Sequence, residues 1–162
     1  MADPLIIDHE IRMLDGDTFS LGVYRGLGLL ICTLGSRGRH ADQLAELDQI
    51  NGVYGQMGLM VLGVPTNDFG GEPGGDESVR ARYELDLRVS FSVTQRMRTA
   101  GRRPHKLFED LTAPSGLPVL SDFEKFVIDG DGYLSERFGA DVRPTDDRMK
   151  AALKFVLPTI SY

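Results

Sequence analysis

The residues best suited to chemistry gather in one short stretch, Gly35-Ser36-Arg37-Gly38-Arg39-His40-Ala41, between an apolar run and a helical pattern. A loop in that position presents backbone N–H groups at a helix start. With Arg37 and Arg39 beside them, these groups make an anion site for a carboxylate or phosphate. His40, whose ordinary pKa is ~6.5, can carry a proton there. Thiol chemistry needs an ionisable sulfur in reach, and the chain has one cysteine, Cys32. It lies six residues before Gly38, inside the apolar run, roughly 20 Å away along an extended chain at ~3.3 Å per residue. Free cysteine is among the most buried residue types, so Cys32 reads as a structural thiol. A single cysteine excludes an internal disulfide and offers no resolving partner. His9 carries no signal. Gly130-Asp131-Gly132 lacks the spaced acids and terminal glutamate of a calcium loop and reads as a tight turn.

These residues need elements to hold them. Leu27 to Leu34 and Leu59 to Val64 are nearly continuous apolar runs, as in parallel strands buried on both faces. Between them Leu44, Leu47, Ile50 and Tyr54 recur at helical spacing, giving a strand–helix–strand unit. Val79, Tyr83 and Leu87 predict a second helical face, with Asp76 and Glu77 placed for its N-terminal dipole. Ile6 to Leu14 and Phe19-Ser20-Leu21 flank Asp15-Gly16 and predict an N-terminal hairpin. Phe126-Val127-Ile128 and Tyr133-Leu134 predict another around Gly130-Asp131-Gly132. A last helix starts near Pro144, has Asp146 and Asp147 in its first turn, and buries Met149, Ala152, Leu153, Val156 and Leu157.

The chain has 162 residues, enough for one domain with one core. Its apolar fraction is 41% and its net charge −6, values that favour a soluble protein and argue against generic binding to nucleic acid or anionic lipid. No apolar run approaches the ~20 residues that span a bilayer. The start, Met1-Ala2-Asp3-Pro4, lacks a basic stretch followed by an apolar core, so a cytoplasmic location is expected.

Several blocks resemble the glutathione peroxidase family, in the family's order. They are Tyr24-Arg25-Gly26 leading into Leu29-Leu30-Ile31, then Asn67-Asp68-Phe69-Gly70-Gly71-Glu72-Pro73-Gly74, then His105-Lys106-Leu107-Phe108, then Phe123 to Gly132. The glycine-rich block is one residue shorter than the family's. The resemblance runs over nearly the whole chain. It implies a thioredoxin-like three-layer α/β sandwich of the glutathione peroxidase type. A central mixed sheet is flanked by helices, an N-terminal hairpin precedes it, and residues 1–162 form one domain. His105 sits in a family block and takes a structural role.

That family uses a reactive cysteine or selenocysteine supported by a glutamine, a tryptophan and an asparagine. The resemblance places those four at Gly38, Asp68, Ser121 and Asp122, and the chain has no tryptophan to substitute from elsewhere. The family's pattern around the nucleophile is small-Ser-Lys-Cys-Gly-Phe-Thr. Tyr83 falls where many thioredoxin-dependent members carry their resolving cysteine. Asp68, Asp122, Arg39 and His40 should then surround one cleft above the C-terminal ends of the central strands. Two carboxylates held together resist joint ionisation, so one can act as acid and its neighbour as base. Three arrangements remain open. Arg39 can pair with Asp68 or Asp122 and fill the cleft. Alternatively Asp68, Asp122 and His40 move protons in an open pocket, with Arg37, Gly38, Arg39, Asn67 and Ser121 binding a ligand. As a third, Asp68, Asp122 and His40 make a two-carboxylate, one-histidine metal set; they come from three loops with no enforcing spacing, so no metal is expected, and no cofactor.

The expectation is a protein with the family's fold and no thiol peroxidase activity. Its cleft binds or transforms a small polar, anionic molecule by acid/base chemistry. The alternative is a catalytically dead protein acting through protein–protein contact. The short Pro114-Ser115-Gly116-Leu117-Pro118 loop leaves little room for the segment that tetrameric relatives use, so a monomer or homodimer is expected.

Overall fold

Strand β3 (Gly28–Leu34) is buried at every position, as its continuous apolar run requires. The computed structural model describes residues 3–159. After β3 come helix α1 (Gln43–Tyr54) and strand β4 (Leu59–Pro65), which pairs parallel to β3 from Gly28↔Leu59 to Leu34↔Pro65. Strand β5 (Ser92–Val93) adds to β4 in parallel. On the other side β6 (Lys125–Ile128) pairs antiparallel to β3, and β7 (Leu134–Phe138) antiparallel to β6. The sheet order is β5-β4-β3-β6-β7.

Each face of this mixed sheet carries its own core. Leu30, Cys32, Leu34, Val61 and Val127 face α1 and the last helix, α4 (Asp147–Val156). Leu29, Ile31, Leu62, Val64, Phe126 and Ile128 face α3 (Lys106–Thr112) and the N-terminal segment around Ile6 and Ile7. The alternation along β3 therefore sends Cys32 into the α1/α4 layer, where it is fully buried. Helices on both faces make the three layers. No helix among the described residues is long and apolar enough to cross a membrane.

Local chemistry explains most boundaries. Leu44, Leu47, Ile50 and Tyr54 are all buried along α1. Asp146 caps α4 by accepting the Arg148 amide at 2.9 Å, and Met149, Ala152, Leu153 and Val156 form its buried stripe. Leu157 ends that helix in extended conformation and is half-buried. The N-terminal hairpin is shorter than the pattern predicts. It pairs β1 (Glu10–Arg12) with β2 (Thr18–Ser20), while Ile6–Asp8 forms a 3₁₀ turn. Helix α2 (Asp76–Ala81) carries acids in its first turn, as expected. It then widens into a π-helical stretch over Arg82–Leu87. That extra residue per turn rotates Leu87 out to solvent while Val79 and Tyr83 stay buried, so the expected three-residue face is a two-residue one.

Candidate functional site

The end of β3 runs through Gly35 into a series of tight turns that lead to α1. The amides of Gly38, Ala41, Gln43 and Leu44 donate to the carbonyls of Gly35, Gly38, His40 and Ala41. Those four amides are thus satisfied within the chain. The Arg37 amide donates to the Gly71 carbonyl at 2.9 Å, which binds this turn to the glycine-rich segment after β4.

Asp122 reaches into this junction from the start of β6. The amide of Phe123 donates to the Thr33 carbonyl at 2.7 Å, and the amide of Thr33 to the Glu124 carbonyl at 3.1 Å, extending the β3/β6 ladder. Phe123 has φ 65°, a left-handed conformation that non-glycine residues rarely adopt. Its buried ring holds that conformation in the core. The Asp122 carboxylate lies in a cradle of three glycines. A Cβ on Gly35 or Gly71 would overlap its Oδ2, and one on Gly38 would meet it at 2.7 Å. The side chain is 5% exposed. Its Oδ1 is buried and has no hydrogen-bond partner among the described residues. Burial, and then the carboxylates of Glu72 and Asp68, push the Asp122 carboxyl up to about 6.

Above the carboxylate is an open cleft of about 870 Å³. Gly38, Arg39, His40, Ser121 and Asp122 line it, together with Phe69, Leu117, Pro118 and Leu120 on an apolar side. Arg39 makes no ion pair among the described residues; its Nε donates to His40 Nε2 at 3.3 Å. Burial, followed by the charges of Arg39 and Lys125, holds the His40 imidazole below its ordinary value, so it is neutral at pH 7. The cleft therefore combines a buried carboxyl raised to about 6, a neutral imidazole and a guanidinium without an ion pair among the described residues.

Asp68 does not join it. Its Oδ2 accepts the amides of Thr99 at 2.7 Å and Ala100 at 3.0 Å, and its Oδ1 pairs with Arg98 Nε at 3.0 Å. Burial opposes its charge, but these donors prevail and hold the carboxyl below its usual range. Asp68 thus staples the 96–100 loop and, with Asn67, lines a separate depression beside Arg96 and Arg98. This corrects the expected acid/base pair. It also corrects the expected pairing of Arg39, which neither aspartate accepts. Asn67 Oδ1 accepts the Glu72 amide at 3.0 Å, and the Ser121 hydroxyl donates to the Asp122 carbonyl at 2.6 Å, so both stabilise turns. Arg37 is exposed and lies outside the cleft lining. With Asp68 turned away, no group of three or more metal-ligating side chains gathers among the described residues.

Three networks frame the site, and none was visible in the sequence. Glu72 is fully buried and accepts from the Ser36 amide and hydroxyl, from Arg82 Nη1 at 2.6 Å and from the Tyr83 hydroxyl. Tyr83, at the position of the resolving cysteine, thereby anchors α2 to the loop before α1. On the far wall Glu124 Oε1 pairs with Arg137 Nη2 at 2.8 Å, and Arg137 also donates to the carbonyls of Leu117 and Pro118. Lys125, fully buried, donates to Gln43 Oε1 at 2.7 Å and the Val142 carbonyl at 2.5 Å, fixing the 139–142 wall. Only a motif joining Glu72 to Tyr83 could have exposed the first network, and the spacing alone carries none.

Comparison with known proteins agrees with this architecture. A family model described as "Glutathione peroxidase" matches residues 6–112. The chain is 28% identical to a "Glutathione peroxidase" of Lactococcus lactis, over 93% of this chain and 98% of that one. It is 30% identical to a "Hydroperoxy fatty acid reductase gpx1" of Synechocystis, over 90% and 92%. Among solved structures, T. cruzi GPX1 superposes with a TM-score of 0.71 at 21% identity, covering 94% of both chains. A thioredoxin family thiol:disulfide interchange protein from Chlorobium tepidum superposes at 0.70 and 12% identity, over 96% of this chain and 97% of that one. At such identities the structures establish the thioredoxin-like fold alone.

Proposed function

The chain belongs to the glutathione peroxidase family, and from that premise we propose that it keeps the fold and works without thiol peroxidase chemistry. Its cleft binds or transforms a small polar molecule carrying an anionic group, by non-redox acid/base chemistry, in a monomer or homodimer. The observation that carries this reading is the Asp122 carboxyl in its glycine cradle, beside the position where the family's nucleophile would stand. Gly38 has no side chain. Cys32 cannot replace it: the thiol is fully buried in the α1/α4 layer, and burial pushes it up to about 12. A buried carboxyl near 6 exchanges protons efficiently at neutral pH. Arg39 supplies the anion's counter-charge.

A second reading, a catalytically silent protein acting by contact, draws on Leu117 and Leu120, which are 62% and 74% exposed on the rim. The open cleft and the unpaired Arg39 favour the first reading, since a dead site would be expected to close over paired charges.

Two measurements on the native chain test the proposal. Carbon-13 NMR of the side-chain carboxyls should show one group titrating near pH 6 that vanishes in Asp122→Asn. Mass spectrometry after exposure to hydrogen peroxide should find Cys32 still a thiol. A Cys32 sulfenic acid formed rapidly in folded protein, or an Asp122 carboxyl titrating in the ordinary range, would overturn it.

A further inference from the structure

We infer that the ligand of the cleft is a zwitterion, an amine and a carboxylate on one small molecule with an apolar body. This deepens, and rests on, the reading of the cleft as a non-redox binding site. The floor sets the first requirement. Asp122 lines the cleft, and within its carboxylate the buried Oδ1 has no donor among the described residues. A carboxylate short of donors in a largely buried setting is costly, so a ligand donor that meets it from the cleft gains more than an ordinary surface hydrogen bond. No basic side chain forms an ion pair with Asp122 among the described residues, and the charges that influence it most are the acids Glu72 and Asp68. An ammonium answers both deficits at once, as donor and as counter-charge.

The rim sets the second requirement. Arg39 directly follows Gly38, whose backbone the carboxylate touches, so it rises within one residue of the cradle. Arg137, the other guanidinium of the lining, is committed to Glu124 and to loop carbonyls. Arg39 is committed to nothing acidic and offers a fork to a carboxylate. The same cleft is lined by Phe69, Leu117 and Leu120, each partly exposed and available to an apolar side chain. A simple anion would satisfy Arg39 and leave Asp122 orphaned. A simple amine would do the reverse.

Titration calorimetry at neutral pH with L-leucine, N-acetyl-leucine and leucinamide separates the two poles. Leucine should bind, and each capped analogue at least ~10-fold more weakly, the scale of one lost charge-assisted hydrogen bond. Asp122→Asn should erase the preference for leucine over N-acetyl-leucine, and Arg39→Ala the preference over leucinamide. Arg39→Ala changes an exposed side chain, so it keeps the test open if Asp122→Asn folds poorly. N-acetyl-leucine binding as tightly as leucine would overturn the zwitterion while leaving an anion-binding acid/base cleft standing. Failure of all three compounds to bind at millimolar concentration would also overturn it, whereas peroxide turnover by the native chain would remove the underlying reading.

Discussion

Asp122 is a carboxylate whose buried Oδ1 meets no donor among the described residues. Its carboxylate packs into the space that the missing side chains of Gly35, Gly38 and Gly71 leave open. Two predictions belong to this scale. In Gly38→Cys the new Cβ meets Asp122 Oδ2 at 2.7 Å, so the thiol emerges against a carboxylate. Like-charge repulsion then raises its pKa above the ordinary ~8.5, and peroxidase activity stays weak at best. Thiolate absorbance against pH measures this, and a value well below ~8.5 would contradict it. The second concerns stability. A carboxyl raised from 3.8 to about 6 favours the fold while protonated. That stabilisation is full below the unfolded value and is lost as pH rises through the folded one. The Tm of the native chain relative to Asp122→Asn should therefore fall between about pH 4 and pH 7. A flat difference would mean that Asp122 does not carry the shift.

At the scale of elements, Asp68 shows what a loop can do to a candidate catalytic residue. The strand β4 that delivers it was plain in its apolar run. The 96–100 loop that captures it returns from beyond β5, and only the assembled chain brings Thr99, Ala100 and Arg98 to its carboxylate. Asp68→Asn should consequently destabilise by ~1–3 kcal/mol, the cost of weakening buried charged hydrogen bonds. At this chain length that is roughly 2–4 °C of Tm per kcal/mol, read by thermal unfolding. Arg39→Ala, with no acid to abandon, should stay within ~0.5 kcal/mol. The same contrast explains what was legible. The helices α1 and α4 and the strands β3, β4 and β6 bury long periodic or continuous apolar sets, and their patterns announce them. Helix α3 has only seven residues and β5 two, too short for a period to form. Leu87 fails its helical phase because the π-helical stretch after Ala81 cannot be read from residue types. The glycine cradle escapes notice for another reason. It consists of missing side chains on two separate segments, and their common neighbour, Asp122, becomes apparent only when β3 and β6 pair.

Taken as a molecule, the chain carries the family's fold, and our proposal gives its site a different chemistry. The β5-β4-β3-β6-β7 sheet and its two cores are independent of the residue at 38, since that residue adds nothing to either. The Glu72–Arg82–Tyr83 network ties the π-helical stretch after α2 to Ser36 in the loop before α1. On that proposal fold and function part at a handful of positions, as they do wherever function resides in a site rather than a scaffold. The central claim is that this fold operates here without thiol peroxidase chemistry. The direct measurement is a coupled NADPH-oxidation assay of the native chain with hydrogen peroxide and a lipid hydroperoxide, supplied in turn with glutathione and with thioredoxin. The account predicts no turnover above the protein-free background. Turnover that survives Cys32→Ser would contradict the absence of a peroxidatic centre, and turnover that Cys32→Ser abolishes would contradict the burial of the only thiol.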